Sequence, residues 1–457
     1  MKRNIILVIA LLATTLSACA PSPTPEEPTV ITFAIPATTT FFTQANFRGL
    51  ADDFNQANPD LQVQLRAIGT QELRGVDDFY ADILLNEEWG SDAFFVRGGA
   101  LTKRLADSGR ILDLQPLLEA DPGWELDDFY PPVLAQFQHT GNLWGVPTEF
   151  VPLVMFYNKD LFDEAGVAYP RPLALSGVEG GWTRDDFLAT AVALKAALPE
   201  KDFAFAGGTE AAVPFIYAHG GSLLGEDGNC TLDNPLTIGA LRWYFDLALV
   251  HEVMPTLAQV EAYEPELPPN VGLFSGIYGD GELGEGVRRA MEADGWLNVA
   301  AGWGDAALWI APLWEQGGWQ QDIPWKFRWG VAPLPRDAVE VTMLDAFGCY
   351  VTAHSQHPQE ALRWIEYLTR HRVDISGIPA RRSLAQGAAF RGILGQEIDG
   401  PALDALLAQV ERGQALHLTS TRGMAAHCLG DALVDIYERG ADVETALRQA
   451  QQRLSGQ

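Results

Sequence analysis

Residues 139–166 read HTGNLWGVPTEFVPLVMFYNKDLFDEAG, and this stretch decides how the rest of the chain is interpreted. Its pattern predicts two apolar strands, over 143–147 and 153–157, separated by two residues of a type that is usually exposed. Asn158 follows the second strand and is expected to cap a helix, because its side-chain oxygen accepts a hydrogen bond from a backbone N–H group of the first turn. Two strands that meet near Pro147 with little between them predict a hinge crossing.

On pattern alone, an ordinary strand–turn–strand–helix unit within one α/β domain explains this stretch equally well. Three short motifs carry more information: Gly145-Val146-Pro147, residues 156–162 (FYNKDLF) and Ala165-Gly166-Val167. Together they resemble the hinge-and-strand signature of the family 1 extracellular solute-binding proteins, the sugar-receptor subunits of ABC importers. The resemblance covers essentially the whole mature chain and is strongest at 139–166, 326–368 and 376–384.

The resemblance implies an α/β fold class. It is the two-lobed periplasmic-binding-protein fold (type II-like), in which each lobe is a mixed sheet flanked by helices and three hinge crossings join the lobes. Lobe 1 would comprise 29–146 plus 334–374, and lobe 2 would comprise 147–333 plus 375–457. Residues 173–180 resemble an insertion relative to the family pattern.

The first 18 residues have the form of a signal peptide. A basic start precedes an apolar run too short to span a bilayer, and small residues then precede Cys19. The sequence Leu-Ser-Ala-Cys at 16–19 resembles a bacterial lipobox, which implies lipidation of Cys19; a plain signal peptide with an incidental cysteine is the alternative. Residues 19–28 read as a Pro-rich, polar tether. We therefore expect an extracytoplasmic protein that is lipid-anchored to the cell membrane.

Charge and cysteine content narrow the functional classes. The formal net charge of −29 repels nucleic acid and acidic lipid headgroups, so we expect no nucleic-acid partner and disfavour polyanionic ligands. Beyond Cys19 the cysteines are Cys230, Cys349 and Cys428. One bridge with one free thiol and three buried free thiols are both open.

The start of the predicted body alternates strands and helices. Strands are predicted over 29–35, 61–65 and 93–96, with an amphipathic helix between the first two. In open α/β sheets, ligands bind beyond the carboxyl ends of strands. The loops after the first and third strands are therefore pocket candidates, and they contain Thr39, Phe42 and Arg97.

The resemblance adds further ligand-binding candidates. It places Glu149 and Phe150 at the hinge, where ligand hydroxyls are commonly held in the family, and Glu210 after a strand of lobe 2. It also selects two residues of the return strand region and one arginine of a Leu-Pro-x-Arg-like loop: Asp345, Phe347 and Arg381. For Arg381 a structural ion-pair role is equally open.

Thirteen tryptophans suit a carbohydrate ligand, because sugars present flat C–H faces that stack on indole rings while their hydroxyls need polar partners. A core position is the more common role for any single tryptophan. Trp303 and Trp314 stand in turn-like contexts and are ligand-binding candidates. Residues 304–309 resemble the family's Gly-Lys-Ala-Ala-Met element, which implies that Trp314 stacks on ligand, although Asp305 stands where the family has lysine.

No pattern indicates covalent chemistry. Residues 279–284 fit G-x-G-x-x-G, but acidic residues would lie beside the phosphates, so a surface loop is the better interpretation. The eight histidines form no H-E-x-x-H arrangement, no G-x-S-x-G motif occurs, and a glycosidase carboxylate pair cannot be selected from sequence. We expect no enzyme activity, no metal site and no cofactor.

The sequence thus leaves the sugar, its linkage, the permease and the membrane face open, but it predicts a class. We expect a monomer that captures a mono- or oligosaccharide by hinge closure and delivers it to ABC transporter permease subunits. A binding protein for a polyol, glycerol phosphate or polyamine is the first alternative. A secreted glycoside hydrolase is the second.

Overall fold

A computed structural model describes residues 27–36, 41–68, 91–170, 182–199, 203–225, 228–263, 284–318, 324–373, 376–394, 398–417 and 424–455. The predicted signal peptide, Cys19 and most of the tether lie outside these residues. The insertion at 173–180 and nearly all of the glycine pattern at 279–284 also lie outside them. Within the described ranges, no helix is both long enough and apolar enough to cross a membrane.

The strands are short except for two. Their bounds are β1 (Thr29–Pro36), β2 (Leu61–Ile68), β3 (Ala93–Arg97), β4 (Gln138–His139), β5 (Asn142–Leu143), β6 (Val146–Asn158), β7 (Phe203–Ala206), β8 (Ala306–Pro312), β9 (Trp329–Ala332), β10 (Val341–Val351), β11 (Ile378–Pro379) and β12 (Gln414–His417).

The helices alternate with these strands and cover the sheet. Their bounds are α1 (Phe41–Ala57), α2 (Ala100–Asp107), α3 (Gln115–Glu119), α4 (Pro131–Leu134), α5 (Lys159–Ala165), α6 (Arg184–Ala197), α7 (Thr209–Ala218), α8 (Pro235–Leu249), α9 (Leu257–Glu261), α10 (Glu285–Trp303), α11 (Pro358–His371), α12 (Arg382–Ala385), α13 (Ala388–Ile393), α14 (Gly400–Arg412), α15 (Met424–Tyr437) and α16 (Val443–Ser455).

One strand, β6, is common to two groups of strands. The order across the sheet is β2-β1-β3-β10-β6-β8-β7. Up to Pro152, β6 pairs with β10, and from Leu153 onward it pairs with β8 and β9, in each case antiparallel. β1 pairs in parallel with β2 and β3, and β7 pairs in parallel with β8. The sheet is therefore mixed, as the sequence predicted.

The prediction of two strands that meet near Pro147 is wrong, because β6 is one continuous strand of 13 residues, all buried. Glu149 and Phe150 lie inside it rather than in an exposed connection. Pro147 is tolerated because the register with β10 shifts between Phe347 and Gly348, so that the ladder is irregular beside the proline. Sheets accommodate proline at such bulges.

The predicted helix start at Asn158 is confirmed, and a second helix begins with a side-chain cap of its own. The side-chain oxygen of Asn158 accepts hydrogen bonds from the N–H groups of Asp160 and Leu161, at 3.0 and 3.2 Å. Thr183 and Asp186 form a capping box at the start of α6. Each cap satisfies donors that a helix N-terminus leaves without intrahelical partners.

Helices α1 and α11 cover one face of the sheet around β1 and β3. Phe47 of α1 packs on Phe33 of β1 with ring centroids 5.8 Å apart. Phe54 of α1 meets Trp364 of α11 at 5.2 Å, edge to face. This aromatic layer fixes both helices against the sheet, and the candidate site lies beside it.

The structure decides between the two cysteine arrangements that the sequence left open. Cys230 and Cys428 form a disulfide, and Cys349 is a buried free thiol. The bridge joins the loop before α8 to α15 across 198 residues of sequence. A crosslink over so long a loop restricts the unfolded chain strongly.

Candidate functional site

Strand ends from both groups of strands converge on one short segment of β6. β3 ends at Arg97, which lies opposite Phe347 of β10, and Phe347 lies opposite Glu149. From the other direction, β8 ends at Pro312, opposite Leu153. Because ligands in open α/β sheets bind beyond the carboxyl ends of strands, the segment 149–153 is where a ligand would meet both groups.

A charged and aromatic row crosses β3, β10 and β6 at this level. The guanidinium of Arg97 lies 5.4 Å from the ring centroid of Phe347, and its Nε lies 3.6 Å from a carboxylate oxygen of Asp345. The Phe347 ring also stacks on Phe95 at 6.1 Å. The Arg97 side chain is 18% exposed whereas that of Asp345 is 1% exposed. Arg97 and the half-buried Phe347 are thus the accessible members of the row. Asp345 is buried and pairs with the arginine.

Glu149 forms a buried ion pair with Arg372, the C-cap residue directly after α11. The Arg372 guanidinium lies 4.8 Å from the ring centroid of Phe47 and 5.0 Å from that of Phe95. Such positions favour the cation through the negative faces of the rings. Glu149 is 7% exposed, so it is largely withdrawn from bulk solvent.

The free thiol of Cys349 lies beside this pair. Burial raises the pKa of Cys349 far above its usual value, the Arg372 charge acts in the opposite direction, and the Glu149 charge raises it further. The thiol therefore stays neutral at physiological pH. The two ion pairs described here contain two cations and two carboxylates, so the charges of these four groups balance.

Phe150 and Arg381 lie in the core rather than in this row. Phe150 follows Glu149 in the strand and therefore points to the other face, where its ring meets Tyr130 at 5.4 Å. Arg381 is 1% exposed and donates to Thr369 Oγ1 at 3.0 Å and to the Trp124 carbonyl at 2.9 Å. These contacts match the structural role that the sequence left open for Arg381.

Glu210 belongs to the other side of the site. It lies half-buried in the first turn of α7, directly beyond β7. The carboxylate of Asp294, from α10, accepts a hydrogen bond from the Thr209 N–H at 2.7 Å and another from the Thr209 hydroxyl, and so caps α7. Burial raises the pKa of Asp294 to about 7, the Glu210 charge adds to the rise, and the Thr209 hydrogen bonds oppose it.

The two tryptophan candidates are separated. Trp314 lies half-buried in the 3-10 turn Leu313–Glu315, directly after β8, and this turn packs against β6. Trp303 ends α10, and the carbonyl of the next residue, Gly304, accepts from Asn158 at the far end of β6. At about 3.3 Å per residue, that end is on the order of 30 Å from Glu149. The structure brings Trp314 to the convergence and leaves Trp303 away from it.

Two predicted residues cannot be placed. Thr39 and the side chain of Phe42 lie outside the described residues. Their neighbours in sequence are the end of β1 and the body of α1, which lie beside the row.

Arg372 and Asp294 are neighbours of predicted site residues, and the sequence did not single them out. Arg372 stands just before 375–379, where the family pattern implies a third crossing between the lobes, and its charge was the available signal. Asp294 is one acid among many in a polar helix, and no local pattern marks it. Each is identified by a contact in the folded structure: Arg372 with Glu149, and Asp294 with Thr209.

The buried surroundings of Asp294 do not form a ligand pocket. A cavity of about 20 Å³ lies among Thr209, Tyr244, Asp294 and Tyr437, with otherwise mostly apolar walls. It has room for about one water molecule. In the described parts of the chain, no group of three or more His, Cys, Asp or Glu residues is arranged to hold a metal ion.

The chemistry available at the convergence is non-covalent. Guanidinium groups donate hydrogen bonds and carboxylates accept them, while aromatic rings offer flat apolar faces. A neutral, polyhydroxylated molecule needs all three kinds of contact.

Comparison with known proteins gives a family match. A family model described as "Bacterial extracellular solute-binding protein" matches residues 43–374. An arabinooligosaccharide-binding protein from Halalkalibacterium halodurans is 23% identical over 285 residues, which are 60% of this chain and 57% of the relative. The matched region thus spans little more than half of that relative's length.

Solved structures share the fold. A cyclic alpha-maltosyl-1,6-maltose binding protein from Arthrobacter globiformis has a TM-score of 0.65 at 18% identity, covering 94% of this chain and 98% of that one. An ABC substrate-binding protein from Listeria monocytogenes in complex with cycloalternan has a TM-score of 0.62 at 18% identity, with the same coverage. UgpB from Mycobacterium tuberculosis, in complex with glycerophosphocholine, has a TM-score of 0.61 at 19% identity, covering 94% and 97%. The predicted α/β fold class is confirmed.

Proposed function

Because this chain belongs to the bacterial extracellular solute-binding protein family, we propose that it captures a neutral oligosaccharide outside the cytoplasm and delivers it to an ABC importer. The observation that carries the proposal is the convergence on segment 149–153. There, Arg97, Phe347 and Glu149 meet the end of β8. Relatives whose names or titles state a saccharide agree with this ligand class.

Capture would proceed by closure of two lobes about the strands that join them. The lobes are 29–146 plus 334–374 and 147–333 plus 375–457, and the change of partners within β6 at Leu153 supports a boundary near this segment. Arg97, Asp345, Phe347, Thr39 and Phe42 would then line one wall. Glu210 and Trp314 would line the other wall, with Glu149 at the floor.

The protein would be held at the cell surface by a lipid on Cys19, with 19–28 as spacer and the membrane permease as its partner. Two features support an extracytoplasmic location besides the family. The sequence begins with a secretory pattern, and the Cys230–Cys428 disulfide suits an oxidising compartment. We expect the mature chain to act as a monomer.

A phosphodiester is the second candidate ligand, because one structural neighbour holds glycerophosphocholine. The balanced charges of Arg97, Asp345, Glu149 and Arg372 argue against it, since a phosphate would face two carboxylates in a largely buried row. The same balance argues against a polyamine. A polyol remains compatible with the same hydrogen-bonding groups, but it lacks the flat ring face that a sugar offers to an aromatic side chain.

The test is a ligand panel on the mature chain, unfolded and refolded first to remove any co-purified solute. Maltose, arabinotriose, glycerol, glycerophosphocholine and spermidine would be compared by thermal shift and calorimetry. A neutral saccharide at a hundred times its Kd should stabilise the protein by about 2.7 kcal/mol. No shift with either saccharide, beside a shift with glycerophosphocholine or spermidine, would overturn the proposal.

Two variants make this panel specific to the proposed site. Arg97→Met should abolish the saccharide shift by removing donors from the row. Arg363→Met is the matched control, because Arg363 makes a surface ion pair with Asp60 on the outer side of α11. Chromogenic glycosides should release no product with any form of the protein, and release that Glu149→Gln abolishes would instead favour the hydrolase alternative.

A further inference from the structure

Resting on the proposed function, we propose that Arg372 is a positioning residue: it holds the Glu149 carboxylate ionised and fixed at the floor of the site, so that ligand affinity stays independent of pH near neutrality. Arg372 is 2% exposed and forms its ion pair with Oε2 of Glu149. It touches no ligand under this proposal and acts only through Glu149.

The position of the Arg372 guanidinium is set by aromatic rings from two different elements. Phe47 of α1 lies 4.8 Å away and Phe95 of β3 lies 5.0 Å away. The same Phe95 ring stacks on Phe347, whose other neighbour is the guanidinium of Arg97. The buried pair is thus packed continuously with the accessible part of the site.

The ion pair between Glu149 and Arg372 also joins two segments of the chain that run beside residues 149–153. Glu149 lies in β6, and Arg372 ends α11 just before β11, which pairs with β6 at Phe150 and Glu149. Next to Arg372, the Val373 carbonyl accepts a hydrogen bond from Asn46 of α1. The residue after Arg372 is thus tied to α1, and β11 runs beside Glu149. A carboxylate has two oxygens and about four acceptor positions, so the same group can accept from an arginine and from a ligand hydroxyl.

Among the ion pairs of the described residues, the one that Glu149 forms is with Arg372. Cys349, on β10, faces the pair as a neutral thiol, and Glu149 itself acts to keep it neutral. Asp345, also on β10, is paired with Arg97 of β3. A buried carboxylate that loses its cation takes up a proton. Without Arg372, Glu149 would become a neutral acid and a poorer acceptor.

The experiment measures the ionisation of Glu149 and ligand binding separately. Glutamate carboxyl carbons are labelled with ¹³C, and the Glu149 signal, assigned by its loss in Glu149→Gln, is followed from pH 5 to 8.5. In the unaltered protein the signal should stay that of the ionised form throughout. In Arg372→Met it should move to the protonated form within this range, whereas the surface control Arg363→Met should leave it unchanged.

Calorimetry with maltose and arabinotriose gives the second measurement. Arg372→Met should lose at least tenfold in affinity between pH 8.5 and 5.5, while the unaltered protein changes less than twofold. Adding Glu149→Gln to Arg372→Met should remove that pH dependence. An Arg372→Met variant that binds more weakly but equally at both pH values, with Glu149 still ionised, would overturn the proposal in favour of a merely structural role.

Two other results of these experiments can be told apart. If Arg372→Met does not fold, Arg372→Lys keeps the charge without the planar fork; it should leave Glu149 ionised and binding pH-independent but weaker, and a protonated Glu149 in this variant would overturn the proposal. If the unaltered protein binds neither sugar but binds glycerophosphocholine or spermidine, the proposed function fails, and the carboxyl signals alone still decide the role of Arg372.

Discussion

Two buried carboxylates on opposite sides of the convergence are stabilised in different ways. Glu149 has a full positive charge beside it, from Arg372. Among the described residues, Asp294 is stabilised by N–H and hydroxyl groups at the start of α7, and the charge of Glu210 opposes its ionisation. Dipoles offset less of the cost of burying a charge than a cation does. One side of the site is therefore built around fixed charges, and the other holds a group that changes charge near neutral pH.

The largest expected effect comes from breaking the ion pair. Arg372→Met alone should lower the free energy of unfolding by about 3–5 kcal/mol, because it leaves Glu149 buried without its cation. The double variant Glu149→Met/Arg372→Met should recover most of this loss, because two apolar side chains replace two desolvated charges. Urea titrations of the three proteins measure both values, and a double variant as unstable as the single one would contradict the explanation.

The region around Asp294 is stabilised by a disulfide rather than by an ion pair. The disulfide partner Cys428 lies in α15, and Leu433 and Tyr437 of the same helix line the cavity beside Asp294. Replacing Cys230 and Cys428 together by serine should lower the free energy of unfolding by about 2–5 kcal/mol. Dithiothreitol should lower the urea midpoint of the unaltered protein and not that of the double variant; equal sensitivity in both would contradict the prediction.

The titration of Asp294 should appear as a pH dependence of stability. Its pKa is raised from the usual value of 3.8 to about 7, so the folded protein keeps a proton that the unfolded chain releases near pH 4. Stability should therefore fall as pH rises from about 4 to about 7, by about 2–4 kcal/mol. Asp294→Asn should flatten this part of the profile. If the stability of Asp294→Asn varies with pH as that of the unaltered protein does, another titrating group causes the pH dependence.

The smallest expected effect is a difference in saccharide affinity between variants of Trp314 and Trp303. Trp314→Ala should weaken saccharide binding by about 0.5–1.5 kcal/mol through the loss of one aromatic face. Trp303→Ala should change binding less, since Trp303 lies near Asn158 at the other end of β6. Calorimetry on both variants decides the order. A larger loss at Trp303 would mean that the ligand reaches far beyond the convergence.

The sequence predicted the local features of the fold. Alternation predicted β2 and side-chain chemistry predicted the cap at Asn158, and both are confirmed. The rule for strand ends supplied Arg97 as a candidate, which stays a prediction. Resemblance supplied Glu149, Asp345 and Phe347, and the register then placed Glu149 and Phe347 opposite one another, in the same row as Arg97.

It failed where the cause was long-range. The continuity of β6 depends on a bulge beside Phe347 and Gly348, almost 200 positions later in the chain. The pairing of Cys230 with Cys428 and the partners of Arg372 depend in the same way on packing between distant elements. Arg381 resembled a ligand residue because its loop matched a motif, and its burial against Phe129 is a property of the folded core.

The sharing of β6 between two sets of partners also limits how this chain tolerates changes in length. Side chains alternate between the faces of a strand, so one residue inserted between Pro152 and Leu153 would turn over every later side chain relative to the earlier ones. Phe156, which now stacks on Trp309, would exchange faces with Tyr157, while Glu149 kept its place. The length of β6 therefore fixes which face each side chain presents to the two sets of strands.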